Sequence, residues 1–184
     1  EVSASRDSDQ GRGRPAVALG VRANAHFVAG MKLSDREQTA VIVDFAGNMI
    51  ADDSIQRQPG PMRTNDLLDD LESLLSRVCA KAGVPRQQLS AVGIGVPGFV
   101  DFSEGLVLWS SVLIERGVRL AAAASNRLGM PVVIDNDANL VAMAELWFGA
   151  GRDLSDFAVV TLEHGVGMGF VMNHRLYRGA RNVG

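Results

Sequence analysis

The segment from Val132 to Asn139 constrains the fold more than any other part of the chain. Its sequence is VVIDNDAN, in which three apolar β-branched residues are followed by four Asp or Asn residues within five positions. Such an apolar run predicts a short buried strand, and Asp and Asn side chains accept the free N–H groups that open a helix. Residues 140–148 are apolar except for Glu145, so we predict a buried helix that ends at Gly149.

The junction between this strand and helix is also a candidate ligand site. In open α/β sheets, ligands bind beyond the carboxyl ends of the strands, and here two carboxylates and two amides lie at such an end. The same side chains also suit a plain helix cap, and the residues themselves leave both interpretations open. Glu145 is the charged residue of a helix that is predicted to be buried, which favours a structural hydrogen bond for its side chain.

The rest of the chain alternates between strand and helix patterns. Strands are predicted at 17–21, 26–33, 39–45, 49–55, 89–96, 132–134, 156–162, 166–172 and 175–177, and further helices at 66–82 and 116–128. Asn65 is the expected cap of the first helix, which Gly83 and Pro85 end. An antiparallel meander followed by alternating helix and strand predicts an α/β lobe with a mixed sheet at 16–134. A hinge helix and the start of a second α/β lobe then occupy 135–184.

Composition excludes several classes of protein. The 184 residues are 47% apolar and include 20 glycines, which is typical of a folded α/β protein, and the net charge of −3 gives no overall basic field. The single cysteine, Cys79, excludes an internal disulfide framework and a cysteine-cluster metal site, and its helical setting predicts a buried structural thiol. No apolar run approaches the roughly 20 residues of a membrane span, and no signal-peptide core is present. A cytoplasmic protein without a membrane partner is expected.

The N-terminal segment, residues 1–15, differs from the rest of the chain. It is polar, rich in Ser, Asp, Arg and Gly, and without periodicity, so we predict a flexible basic linker or tail. Within it, Gly11–Pro15 reads GRGRP, which is similar to the arginine hooks that enter the minor groove of A·T-rich DNA. The same sequence is common in plain linkers, so this segment alone does not establish contact with DNA.

Several glycine-bearing motifs flank the junction segment. Each alone is typical of an ordinary turn, but their order is more specific. The motifs are GIGVPG at 93–98, NDAN at 136–139 with Glu145 and GAG at 149–151, GVGMG at 165–169, and LYRGA at 176–180. In this order they resemble the ROK family (repressor, open reading frame, sugar kinase) over about residues 11–184. That family joins sugar kinases and sugar-responsive repressors in one fold.

The resemblance implies an actin-like (ribonuclease H-like), two-lobed α/β fold, with the first lobe complete and the second partial. The family's later sugar contacts and its cysteine-rich zinc site would follow Gly184. The repressor branch carries a GRGRP-like linker after a winged helix-turn-helix domain, and Gly11–Pro15 matches that linker. The DNA-binding domain itself is not in this sequence. We therefore expect a fragment of a longer bacterial transcriptional regulator.

The resemblance also assigns roles to particular residues. It implies that Gly98, Asn136 and Asp137 form the sugar-binding site, with Asp137 at the position of the catalytic base in active kinases. Family kinases receive the ATP phosphates on a D-x-G-G-T loop and on a second glycine-rich loop. The aligned first loop here reads KLSD at 32–35: Lys32 replaces the acidic residue, while Ser34 and Asp35 replace glycines. The second loop contains Gly165, Gly167 and Gly169.

Phosphoryl transfer depends on positioned donors, metal ions and positive charge around the phosphates. Bulk and negative charge in the first loop, at residues 34 and 35, argue against catalysis, and no cofactor or metal is expected. We therefore predict the ligand-sensing domain of a sugar-responsive regulator of carbohydrate metabolism, which binds a sugar or sugar phosphate without phosphorylating it. The expected partners are DNA, through the helix-turn-helix domain, and a second copy in a homodimer. The alternative is an ATP-dependent ROK hexokinase with an altered nucleotide loop.

Overall fold

The computed structural model describes residues 2–6, 17–163 and 165–180. Within these ranges the chain forms twelve strands and three α-helices. The strands are β1 Val2–Arg6, β2 Val17–Val21, β3 Phe27–Leu33, β4 Glu37–Asp44, β5 Met49–Gln56, β6 Leu89–Val96, β7 Gly98–Asp101, β8 Leu106–Ser110, β9 Val132–Asn136, β10 Phe157–Leu162, β11 Val166–Met172 and β12 Arg175–Tyr177. The helices are α1 Thr64–Ala82, α2 Leu120–Leu128 and α3 Asp137–Phe148.

A five-stranded mixed sheet, the first sheet, has the strand order β5-β4-β3-β6-β9. As predicted, β3, β4 and β5 form an antiparallel meander, and β6 and β9 run parallel to β3. Every second residue of β3 and β4 is buried, because side chains alternate between the two faces of a strand. Helices α1 and α2 cover that face, and Leu71, Leu74 and Leu75 of α1 are fully excluded from solvent.

A three-stranded antiparallel sheet, the second sheet, has the order β10-β11-β12. Helix α3 packs on one of its faces, where glycines let the backbones approach closely: a Cβ at Gly169 would lie 2.7 Å from both the Ala138 carbonyl oxygen and the Ala142 Cβ. The opposite face leaves apolar side chains exposed, namely Val160, Leu162, Val166, Met168, Phe170 and Met172.

Helix α3 is less buried than its sequence predicts. Only Ala138, Asn139 and Ala142 are buried within it, whereas Trp147 and Phe148 are largely exposed. The prediction of a buried helix was wrong because, in the described residues, α3 has packing partners on one side only.

Helices α1 and α2 begin at residues other than those predicted. Helix α1 begins at Thr64, and its opening is capped by a distant carboxylate: the N–H and hydroxyl of Thr64 both donate to Glu115 Oε2 at 3.0 Å. Asn65 is therefore not the cap. Helix α2 begins at Leu120 rather than residue 116, because Val118 is held by two backbone hydrogen bonds to Val107 of β8.

The N-terminal segment includes strand β1. Val2–Arg6, within the segment predicted to be a flexible basic linker or tail, forms a strand that pairs antiparallel with β2 in a separate two-stranded sheet. Gly11–Pro15 lies outside the described residues.

The burial of Cys79 confirms the predicted structural thiol, and burial raises its pKa. Across the described ranges, no helix is long and apolar enough to cross a membrane.

Candidate functional site

Three parallel strands of the first sheet end along one edge. Lys32 of β3 pairs with Gly95 of β6, and Val96 of β6 pairs with Asn136 of β9. The turn between β10 and β11 lies opposite this edge, and a cavity of about 740 Å³ separates the two. This central cavity is lined by Ser34, Gly98, Trp109, Asn136, Asp137 and Glu163, among others. The predicted sugar-binding residues therefore share one cavity at the carboxyl end of the sheet.

Asn136 connects two walls of the central cavity. Its Oδ1 accepts hydrogen bonds from the N–H groups of Ala138 (2.9 Å) and Asn139 (3.2 Å), so it is the N-cap of α3. Its Nδ2 donates to the carbonyl oxygen of Gly98 at 2.8 Å. The cap interpretation is correct for Asn136, and the same amide also fixes the start of β7.

Gly98 is required by the backbone around it. Its φ of +131° lies in a region that favours glycine, and a Cβ at this position would lie 2.2 Å from the carbonyl oxygen of Trp109. The close approach that glycine permits here is therefore an approach of Gly98 to the backbone of β8. Approach of a ligand to Gly98 stays a prediction.

Asp137 presents a carboxylate to the central cavity. Its Oδ1 accepts a hydrogen bond from the Ala138 N–H at 2.9 Å, and the side chain is half-buried. Burial raises its pKa, and the charge of Glu163 also raises it, while the Ala138 hydrogen bond and the charge of Lys32 lower it. No side chain in the described part of the protein donates a hydrogen bond to this carboxylate. Asp137 is therefore an available acceptor.

A buried ion pair lies directly behind this site. Arg178, which follows β12, places Nη1 2.8 Å from Asp135 Oδ1 and Nη2 2.7 Å from Oδ2. Asp135 also accepts from the backbone N–H of Asn136 at 2.8 Å. The Arg178 guanidinium lies 3.9 Å above the ring centre of Phe102. The sequence does not predict this pair, because the two residues are 43 positions apart and no local pattern connects them.

The residues of the predicted first phosphate loop line two pockets. Ser34 and Asp35 line the central cavity, and Lys32 lines a second pocket that shares Ser34 and Glu163 with it. Lys32 forms an ion pair with Glu163 of the opposite sheet. The Ser34 hydroxyl donates to the carbonyl oxygen of Glu37 at 2.6 Å and accepts from its N–H at 3.1 Å, which closes the turn that also contains Asp35. The positions aligned with the kinase loop thus contain a lysine that is paired with Glu163 and a turn that is closed by the Ser34 side chain.

The glycines of the second loop have packing roles. A Cβ at Gly167 would lie 2.6 Å from Thr161 Oγ1 and 3.0 Å from the Ala138 Cβ, and Gly169 lies against α3 as described above. Gly165 occupies the turn, where its carbonyl accepts from the Glu163 N–H at 3.0 Å. A phosphate-binding role for these glycines stays a prediction.

The structural role predicted for Glu145 is confirmed, because its Oε2 accepts the Ala150 N–H at 2.8 Å. Among the described residues no cluster of His, Cys, Asp and Glu has an arrangement that could hold a metal ion.

Comparison with known proteins identifies the family. The family model described as "ROK family" matches residues 28–184.

The chain belongs to the ROK family.

Both branches of the ROK family are among its relatives. A putative xylose repressor of Caldicellulosiruptor sp. is 32% identical over 92% of this chain and 42% of the repressor. A glucokinase of Halalkalibacterium halodurans is 30% identical over 67% of this chain and 36% of the kinase. The crystal structure of a ROK family transcriptional regulator, a homologue of the Escherichia coli Mlc protein, superposes with a TM-score of 0.79 at 25% identity, over 92% of this chain and 42% of that one.

The ROK resemblance and the predicted actin-like sugar-kinase fold are thereby confirmed. The chain spans less than half the length of these relatives.

Proposed function

We propose that this chain is the sugar-sensing part of a sugar-responsive transcriptional regulator, and that it binds sugar in the central cavity without phosphorylating it. The observation that carries the proposal is the contact of Lys32 with Glu163, in a pocket that shares Ser34 and Glu163 with the central cavity. Lys32 is aligned with the loop on which family kinases are expected to receive the nucleotide phosphates. Transfer of a phosphoryl group needs backbone donors and metal-bound oxygens around the phosphates. Here the Glu163 carboxylate already neutralises the charge of Lys32.

Sugar binding rests on Asp137. A sugar hydroxyl needs a directed acceptor in a partly dry cavity, and the Asp137 carboxylate is half-buried and available. Asn136 has a different role: it caps α3 and holds Gly98, so it fixes the position of Asp137 at the first residue of that helix. One N–H of its amide is left for a ligand.

The proposed regulator has partners beyond the sugar. Binding in the central cavity alters contact with DNA through a domain outside this chain, and the regulator acts as a homodimer. The repressor relatives support this assignment, and the glucokinase relatives support the alternative considered next.

A sugar kinase is the second candidate, and Asp137 favours it. Burial raises the pKa of this carboxylate, as suits a general base that must accept a proton from a sugar hydroxyl. The retained acid occupies the family's base position. A base without a phosphate-binding loop nevertheless lacks the part of the site that positions the nucleotide.

An assay with two readouts separates the candidates. Purified protein is mixed with Mg²⁺, ATP and a panel of aldohexoses and aldopentoses, while calorimetric titration follows binding of the same sugars. We expect saturable binding of a sugar and no sugar-dependent release of ADP. Turnover of about 1 s⁻¹ or faster, abolished by Asp137→Asn, would establish the kinase and overturn the regulator proposal.

A further inference from the structure

The hairpin formed by β7 and β8 contributes an aromatic pair to the central cavity. Phe99 and Trp109 lie opposite each other in its register, with ring centres 5.9 Å apart and planes inclined by 46°. Both line the cavity, and they are 58% and 39% exposed. Sequence patterning did not predict this hairpin, and neither ring has a role in the function proposed above.

The hairpin is held rigidly from behind. Val100 and Val107, which pair with each other, are buried in the core of the first sheet. The Ser110 hydroxyl donates to the carbonyl oxygen of Pro97 at 2.6 Å. One face of the hairpin is therefore anchored in the core, while the aromatic pair remains at the cavity.

The aromatic pair and the sugar acceptor share one support. Asn136 donates to the Gly98 carbonyl at the start of β7 and caps the helix that begins with Asp137. A ligand that reaches Asp137 and extends towards the hairpin thus meets two walls joined by a single amide. Such preorganisation reduces the entropy that binding costs.

Phe102, a third aromatic residue, differs from Phe99 and Trp109 because a cation lies over its ring. The ring of Phe102 is covered by the guanidinium of Arg178 at 3.9 Å. Within the described ranges, no cation lies over Phe99 or Trp109. Both rings line the cavity, and the faces of aromatic rings are negatively polarised, so they bind C–H groups that neighbouring oxygens make slightly positive. The face of a pyranose ring carries such C–H groups, and so does an aryl substituent at its edge.

The dimensions of the cavity indicate a ligand larger than one sugar ring. Its volume of about 740 Å³ falls in the range that accommodates drug-sized ligands, and apolar walls with a few directed polar groups are typical of such sites. One sugar ring fills only part of this volume, so the cavity has room for a second ring beside Phe99 and Trp109.

We propose that the ligand is a glycoside, whose terminal sugar is held at Asp137 and whose second ring stacks on Phe99 and Trp109. This inference rests on the proposed function and specifies the class of sugar that is sensed.

Paired ligands test the inference. Purified protein is titrated calorimetrically with D-glucose, cellobiose and phenyl β-D-glucopyranoside, and with D-xylose, xylobiose and phenyl β-D-xylopyranoside. In one series, we expect the glycosides to bind about 10-fold more tightly than the parent monosaccharide, because they add an aromatic or ring-stacking contact. Trp109→Ala should remove most of that difference and leave monosaccharide affinity within about 2-fold. Trp109→Phe should preserve it.

Two further variants guard against a structural explanation. Phe99→Ala removes the other ring, which is more exposed, and should reduce the glycoside preference in the same way. Trp147→Ala removes an exposed indole of α3 and should leave every affinity unchanged.

The possible failures are distinguishable. Equal binding of monosaccharide and glycoside, unaffected by Trp109→Ala, would overturn the glycoside inference and leave sugar sensing intact. If none of the ligands binds, sugar sensing and this inference are both overturned.

Discussion

Two ion pairs join the first sheet to the second-sheet region, and they differ in burial. Asp135 and Arg178 are 3% and 18% exposed and meet through two oxygen–nitrogen contacts. Lys32 and Glu163 are 45% and 54% exposed and meet through a single oxygen. The desolvation of a buried pair makes each partner dependent on the other, whereas water screens an exposed pair and leaves it weak. The first pair therefore fixes how the site is assembled, whereas the second contributes little to stability.

The largest expected effect comes from breaking the buried pair. Arg178→Met leaves the Asp135 carboxylate buried without its cation and should reduce the free energy of unfolding by about 3–5 kcal/mol. Denaturant titration measures this loss. Arg175→Met, an exposed change of the same type on β12, should remain within about 0.5 kcal/mol of the parent.

A second substitution tests the physical cause. Adding Asp135→Asn to Arg178→Met should recover part of the stability, because the amide oxygen still accepts the Asn136 N–H but carries no charge. Equal losses for Arg178→Met and Arg175→Met would contradict the burial of the pair.

Substitution of Asp137 should have an intermediate effect, which falls on sugar binding rather than on stability. Asp137→Ala should weaken sugar binding by about 10- to 100-fold, the equivalent of roughly 1.5–3 kcal/mol for a charge-assisted hydrogen bond. Asp137→Asn should also bind sugar poorly. Calorimetric titration measures both affinities, and Asp153→Asn, an exposed change, is the matched control.

The stability of Asp137→Asn has a defined pH dependence. Burial raises the pKa of Asp137 in the folded protein, so the folded state binds more protons than the unfolded state between the ordinary and the raised pKa. Stability from this group therefore falls as pH rises through that window. At neutral pH, Asp137→Asn should be at least as stable as the parent, and the difference should vanish below the ordinary pKa. A melting temperature lowered at neutral pH, with normal affinity, would make Asp137 a structural residue only.

The smallest effect is expected from the exposed pair. Lys32→Gln should change the free energy of unfolding by less than about 1 kcal/mol. Its clearer consequence concerns Asp137, whose pKa the charge of Lys32 lowers and that of Glu163 raises. Lys32→Gln should shift the acid limb of sugar binding to higher pH, and Glu163→Gln should shift it to lower pH. Titrations between about pH 4 and 8, a window that begins near the roughly 3.9 of an unperturbed Asp and extends above it, measure these shifts. Shifts of the same sign would contradict the assignment.

Local patterns predicted most of the fold because they depend on neighbouring residues. The alternation in β3 and β4 and the helical spacing of α1 each record which side faces the core. Long-range contacts have no local pattern from which they could be predicted. Glu115, and not the predicted Asn65, caps the start of α1, and hydrogen bonds to Val107 prevent α2 from beginning at residue 116.

The candidate site shows the same division. The motifs predicted that Gly98, Asn136 and Asp137 belong to one site, but they did not predict the separate contacts that each residue makes. It also missed the Asp135–Arg178 pair and the aromatic pair of Phe99 and Trp109, because these depend on the tertiary arrangement of distant segments and on a hairpin that its residue pattern did not reveal.

The glycines of β11 that face α3 set how closely the strand and the helix can pack. At both Gly167 and Gly169, an added Cβ would lie 3.0 Å or less from an atom of Ala138, so larger side chains do not fit between this strand and this helix. Because α3 begins at Asp137, the close packing of these two glycines also helps to set where the Asp137 carboxylate lies relative to the second sheet.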